Sequence, residues 1–191
     1  MVDEFNADSQ DDILIEQAGA FAGEADGFGR LWTPHRMAYI EGERPTKDAG
    51  HGCPFCASPT KTDADGLIVH RGEHCFVVMN LFPYNPGHLL VCPYRHVASY
   101  IDLTDDETEE FTKLTKAGVR ALKAASNPGG FNLGMNQGDV AGAGVAAHLH
   151  QHIVPRWGGD MNFMPIIGRT KALPVLLEDS RQRIVANWPN D

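Results

Sequence analysis

The segment His148-Leu149-His150-Gln151-His152-Ile153 constrains this chain more than any other. It is β-prone and otherwise mostly apolar, and its histidines recur at every second residue. An extended strand repeats its side chains with a period of two, so three imidazoles at this spacing share one face. Leu149, Gln151 and Ile153 then take the other face. A helix gathers residues three and four apart and would scatter this set. Imidazole serves as nucleophile, acid, base or metal ligand near neutral pH. The spacing therefore points to chemistry, nucleophilic or metal-binding, rather than to three structural histidines on an exposed strand.

The rest of the chain supplies a sheet for that strand. Leu67-Ile68-Val69-His70 reads as a short strand with a turn at Arg71-Gly72-Glu73. Cys75-Phe76-Val77-Val78-Met79 and His88-Leu89-Leu90-Val91-Cys92 read as two antiparallel neighbours joined by a Pro- and Gly-rich connection. Thr104 is the predicted N-cap of a helix, with Glu107 at the capping-box position. Phe111, Leu114, Ala117, Val119 and Leu122 continue it at mainly helical spacing, up to Asn127-Pro128-Gly129. Asp105, Glu109, Lys113 and Lys116 form its solvated face. Phe131 to Asn136 reads as a third core strand, and 173–185 as a C-terminal helix opened by Pro174. A meander of strands with one long helix is an α+β domain. Residues 1–28 are polar and acidic and read as a flexible arm. Residues 29–191 read as a single domain, with 31–40 packing on its body or on a second subunit.

With 42% hydrophobic residues in 191, the chain holds enough apolar material for one core. A net charge of -9 argues against a nucleic-acid backbone as partner. No apolar run reaches the ~20 residues that cross a bilayer, and the N-terminus lacks the pattern of a secretory signal, so a cytoplasmic location is expected. Cys75 and Cys92 lie in apolar runs and read as buried thiols.

Two further motifs flank the histidines. Gly138 to Gly144 is a Gly/Ala loop whose backbone N–H groups can converge on phosphate oxygens, or which is simply a turn. A neutral His150 beside it is a competent nucleophile toward phosphorus, with its neighbours holding its ring. Cys53-Pro54-Phe55-Cys56 has metal-knuckle spacing and needs two more ligands to complete a tetrahedral site. The pair also fits a redox dithiol or two free thiols. His51 is one alternative ligand. His88 and His70 read as structural histidines, and Tyr84 and Trp157 as packing aromatics.

The motif His148-Leu149-His150-Gln151-His152-Ile153-Val154 resembles the signature of the histidine triad superfamily. The similarity runs on through Pro155-Arg156-Trp157-Gly158-Gly159-Asp160-Met161-Asn162-Phe163. It runs back through Asn136 and the Gly/Ala loop to Asn80-Leu81-Phe82-Pro83-Tyr84-Asn85-Pro86-Gly87-His88, and it includes Leu31-Trp32-Thr33-Pro34-His35-Arg36-Met37. About residues 30–188 resemble the diadenosine tetraphosphate phosphorylase branch, actinobacterial form. That resemblance implies an α+β histidine triad fold, with a long helix and a C-terminal helix on an antiparallel sheet. It also implies a homodimeric core or a homotetramer. It implies His150 as covalent nucleophile, His152 as the group that contacts the transferred phosphate, and Asn136 beside the reacting phosphates. Asn80 would contact the ribose. Phe76, Val78 and Leu133 would wall the adenine pocket, unless they are core. Gly142, Ala143 and Gly144 would offer backbone N–H groups to phosphate. Zinc, with no organic cofactor, would be held structurally by Cys53, Cys56, His96 and His148.

One departure stands out. Many relatives carry Ser or Gln late in the loop, where Ala143-Gly144 here supply no side-chain donor. The implied reaction passes AMP from diadenosine tetraphosphate through His150 to inorganic phosphate. A hydrolase, in which water resolves the same intermediate, is the alternative. A nucleotide sensor without turnover is a second.

Overall fold

The computed structural model describes residues 52–160 and 173–189. The expected arm over 1–28, the packing segment 31–40, His51 and the end of the resemblance at 161–163 lie outside the described residues.

A one-turn helix, α1 (Pro54–Ala57), opens with proline at a position where its missing N–H costs nothing. β1 (Ile68–Arg71), β2 (Cys75–Met79) and β3 (Leu89–Pro93) follow. The long helix α2 (Asp105–Ser126) comes next, then β4 (Gly130–Met135), β5 (Gln151–Arg156) and α3 (Leu177–Ala186). The strands form one five-stranded sheet in the order β1-β2-β3-β5-β4. Every neighbouring pair is antiparallel. The result is the expected α+β histidine triad fold.

α2 begins where the capping box predicts. The Thr104 hydroxyl accepts from the Glu107 N–H, and the Thr104 N–H donates to the Glu107 carboxylate at 2.8 Å. Glu107 also accepts from Arg95 Nε at 2.9 Å and Arg95 Nη2 at 2.7 Å, which ties the segment after β3 to the helix start. Those Arg95 bonds, despite burial, hold the Glu107 carboxyl at about 2. The helix ends as Asn127 turns left-handed at φ 44.

The sheet has two unlike faces. On one, Val77, Met79, Leu89, Val91 and Ile153 pack against Phe111, Leu114, Ala121 and Leu122 of α2 and Ile184 of α3. The helix turns Ala121 and Gly118 inward, while Ala117 stays half-buried. Cys75 and Cys92 are buried thiols, as expected; burial pushes Cys75 up to about 12. On the other face, Ile68, Phe76, Val78, Leu90 and Cys92 form a smaller cluster, and Phe55 of α1 packs against it.

Three elements differ from expectation. Among the described residues β4 is an edge strand, not a core strand: Leu133 is 52% exposed. α3 starts at Leu177 rather than near Pro174. Glu178 and Asp179 occupy its first turn, where acidic groups complement the exposed N–H groups of a helix start. Of the histidine triad only His152 lies inside β5; His148, at a bend, and His150 precede it.

Candidate functional site

β3 and the approach to β5 bring four metal-ligand side chains together. The ligand atoms of Cys53, Cys56, His96 and His148 all lie within 4.8 Å of one another. Cys53 Sγ is 3.4 Å from His148 Nδ1, Cys56 Sγ is 3.5 Å from the same atom, and Cys56 Sγ is 3.2 Å from His96 Nδ1. Tetrahedral bonds of normal Zn–S and Zn–N length set sulfur and nitrogen about 3.6 Å apart, so the donor set fits that ion. The histidine chemistry fits as well. His148 Nε2 sits 2.9 Å from the Pro93 carbonyl, which can only accept, so the proton is on Nε2 and the Nδ1 lone pair faces the thiols. The buried Nε2 of His96 has no partner among the described residues, so a metal on Nδ1 is what would fix its tautomer. In the metal-free chain, burial and the adjacent Cys53 thiol raise the Cys56 pKa. A divalent cation reverses that by holding thiolates.

His150 and His152 are fixed by different neighbours. His150 Nδ1 is 2.9 Å from the His148 carbonyl oxygen and must donate to it. Its Nε2 is therefore the bare nitrogen. The His150 side chain is only 5% exposed, and burial lowers its pKa despite that bond. Phe55 tilts on one side of the ring with centroids 4.8 Å apart, and His152 stands near edge-on at 5.1 Å.

His152 belongs to a relay that starts at a backbone amide. The Tyr84 N–H donates to His88 Nδ1 at 3.0 Å. His88 therefore carries its proton on Nε2, which lies 2.9 Å from His152 Nδ1. His152 Nδ1 accepts, so Nε2 of His152 holds the proton. Burial first, and His150 second, lower His152 to about 4. Near neutral pH the pair thus offers a bare nitrogen on His150 beside an N–H donor on His152.

The connection between β2 and β3 is built to hold His88, which is fully buried. Gly87 sits at φ +78, and an added Cβ would lie 3.0 Å from Leu122 Cδ2, so both conformation and space favour glycine. Asn80 accepts from the Phe82 N–H at 3.0 Å and points its amide nitrogen at His88 Nδ1 at 3.3 Å. Asn85 donates to the Pro155 carbonyl at 2.9 Å and to Asp160 at 2.7 Å, pinning the turn to the end of β5.

The other expected site residues fall in different places. The β4–β5 ladder ends at Met135 opposite Gln151, so the next residues along each chain are Asn136 and His150. Gly138 follows at φ 81, ψ 162, a region open essentially to glycine, and starts the loop that carries Gly142, Ala143 and Gly144. Ala143 is buried and Gly144 exposed. Gln137 anchors the loop by accepting from the Tyr100 N–H at 2.8 Å. Phe76 and Val78 share the histidine face but are 0% and 4% exposed, so they form its packed floor. Leu133 pairs with Ile153, whereas Gly134 pairs with His152. Leu133 therefore stands across the sheet from His152, on the α2 side. Sequence reasoning read His88 as a structural histidine that could sit near the nucleotide and Tyr84 as a packing aromatic, and placed neither against His152. The Pro-Gly-His spelling marked the turn, but not the contact it makes 64 residues away.

Comparison with known proteins agrees with this geometry. The HIT domain family model matches residues 61–159, and the chain belongs to that family. It is 47% identical over 171 residues to an AP-4-A phosphorylase of Mycobacterium tuberculosis, covering 87% of each chain. Among solved structures it is similar to a hypothetical histidine triad nucleotide-binding protein of Sulfolobus tokodaii, with a TM-score of 0.59 and 29% identity over 71% of this chain and 91% of that one. It also shares its fold with a zinc-bound histidine triad family protein of Mycobacterium smegmatis, with a TM-score of 0.55 and 23% identity over 71% of this chain and 92% of that one. Cys53 and Cys56 lie just before the matched segment.

Proposed function

We propose that this protein is a phosphorylase acting on diadenosine tetraphosphate, working through an adenylyl-histidine. The observation that carries the proposal is the fixed tautomer of His150, whose Nδ1–H is spent on the His148 carbonyl and whose Nε2 lone pair is left for attack. Nε2 attacks the α-phosphorus of one adenylyl group. The bond from that phosphorus to the bridging oxygen breaks, and ATP leaves with the electron pair. The His148 carbonyl stabilises the positive charge that develops on the imidazole. His152 Nε2–H donates to a phosphate oxygen, and the backbone of Gly142, Ala143 and Gly144, with Asn136, supplies further donors. Asn80 contacts the ribose. An oxygen of inorganic phosphate then attacks the same phosphorus, the P–N bond breaks, and ADP departs. The 47% identical relative named as an AP-4-A phosphorylase supports this substrate and acceptor.

Cys53, Cys56, His96 and His148 would hold zinc in a structural role. The ion would keep the knuckle closed against the sheet and takes no part in the transfer. The chain would assemble as a homodimer or homotetramer, for which the β4 edge, unpaired among the described residues, is suited. No described helix is long and apolar enough to cross a membrane, and a cytoplasmic location fits a nucleotide substrate.

The test is incubation with diadenosine tetraphosphate, with and without inorganic phosphate, followed by chromatography of the products. ADP plus ATP, dependent on phosphate, is the expected result. AMP plus ATP without a phosphate requirement would make the protein a hydrolase. Binding without turnover would make it a sensor.

A further inference from the structure

Tyr84 is a large aromatic that belongs to neither core cluster and is 54% exposed. Burial does not explain its position. Its ring stacks on His152 with an interplanar angle of 15° and centroids 5.5 Å apart, and it tilts on His88 at 4.7 Å. The loop on either side is pinned, by Asn80 at Phe82 and by Asn85 at Pro155 and Asp160. The ring is therefore held over the His88–His152 hydrogen bond, not left to find its own place.

A ring torsion of histidine is broad, and a single hydrogen bond at Nδ1 leaves the imidazole free to rock. A flat aromatic face lying parallel to the ring removes that freedom and keeps water from the bond beneath. We infer that Tyr84 is a positioning residue: its ring holds His152 in the plane from which Nε2–H meets the transferred phosphate. The inference rests on the reading of His150 and His152 as the reacting pair. The phenol takes no part, and the Tyr84 backbone N–H that sets the tautomer is kept in any variant except proline.

That separation makes the test sharp. Tyr84→Phe and Tyr84→Ala are compared with wild type in the full-length protein, by steady-state kinetics with diadenosine tetraphosphate and by NMR of the ring N–H protons without substrate. Tyr84→Phe keeps the flat face and is expected to match wild type. Tyr84→Ala is expected to lower kcat roughly tenfold, with KM little changed, because misplacement of a donor acts in the transition state. The hydrogen-bonded His88 Nε2–H proton is expected as a slowly exchanging signal in wild type and Tyr84→Phe, broadened by exchange in Tyr84→Ala. Wild-type kcat and an unbroadened signal in Tyr84→Ala would overturn the inference. So would a loss in Tyr84→Phe as large as in Tyr84→Ala, which would give the phenol a direct role. A rise in KM alone would make Tyr84 a binding contact only. The NMR signal is read without turnover, so it judges Tyr84 even if the reaction or its nucleophile is assigned wrongly.

Discussion

His148 and His150 stand two residues apart and present opposite nitrogens. His148 is fully buried, spends Nε2 on the Pro93 carbonyl and turns Nδ1 to the thiols of Cys53 and Cys56. His150 spends Nδ1 on the His148 carbonyl and keeps Nε2 bare. The side chains are identical, so the difference lies in which backbone oxygen each ring meets. The lesson is that a histidine's job is assigned by the partner of its second nitrogen. In the proposed reaction the first histidine of the triad would serve as a structural clamp, and the middle one as a nucleophile with a donor beside it.

The strongest way to break this contrast is to remove the bare nitrogen. His150→Asn is expected to lower turnover by about 10³-fold or more, in line with loss of a nucleophile. Melting temperature and bound metal should stay near wild type, because neither clamp nor core is touched. Turnover that survives would contradict the assignment. The complementary change, Cys56→Ser, should strip metal from the purified protein and lower its melting temperature, checked by elemental analysis and a thermal scan. A protein purified without added zinc that carries no metal, with all four groups intact, would remove the clamp from the account.

His88→Ala should fall between these extremes. It frees the tautomer of His152 without touching His150, and loss of such an outer partner costs about 10–100-fold. Kinetics with kcat separated from KM would show it, as a fall in kcat.

pH sharpens the comparison further. His152 is lowered to about 4, so its neutral form, with Nδ1 accepting from His88, persists well below the ordinary histidine range. As pH falls from neutral, kcat/KM should therefore hold through the usual midpoint of 6.5, because burial lowers both His150 and His152, and decline only below it. A midpoint at the ordinary histidine value would show that the relay is open to water.

The smallest effect belongs to the helix start, far from the triad. Thr104→Ala removes half of the capping box and should cost about 1 kcal/mol in a denaturant melt. Activity should not change. Glu107 adds a pH signature there. Its folded carboxyl sits at about 2, below the ordinary glutamate value of 4.5, so its contribution to stability is complete above 4.5 and is lost as pH falls toward 2.

Much of this was legible in the sequence, and for physical reasons. β2 runs over the five residues read from the apolar stretch, and Thr104 with Glu107 marks the helix start, because both signals are local. The metal set Cys53, Cys56, His96 and His148 comes together as the family resemblance implied. β4 misled because Phe131, Leu133 and Met135 alternate as a half-buried strand does, and alternation does not say whether a neighbour lies on both sides. The resemblance implied Leu133 as a wall of the adenine pocket; its pairing with Ile153 puts it on the α2 face, which only the register reveals. The contacts of His88 and Tyr84 with His152 were hidden because they depend on a backbone N–H and a stacking contact across the sheet. Neither leaves a spacing in the chain.

The central claim is that His150 carries the adenylyl group. The direct measurement is to mix the protein with diadenosine tetraphosphate in the absence of phosphate, quench within the first turnover, and map the modified peptide by mass spectrometry. The account predicts an adenylyl group on His150, discharged as ADP when phosphate is added before the quench. An adduct on another residue, or full product formation with no adduct at any time, would contradict it.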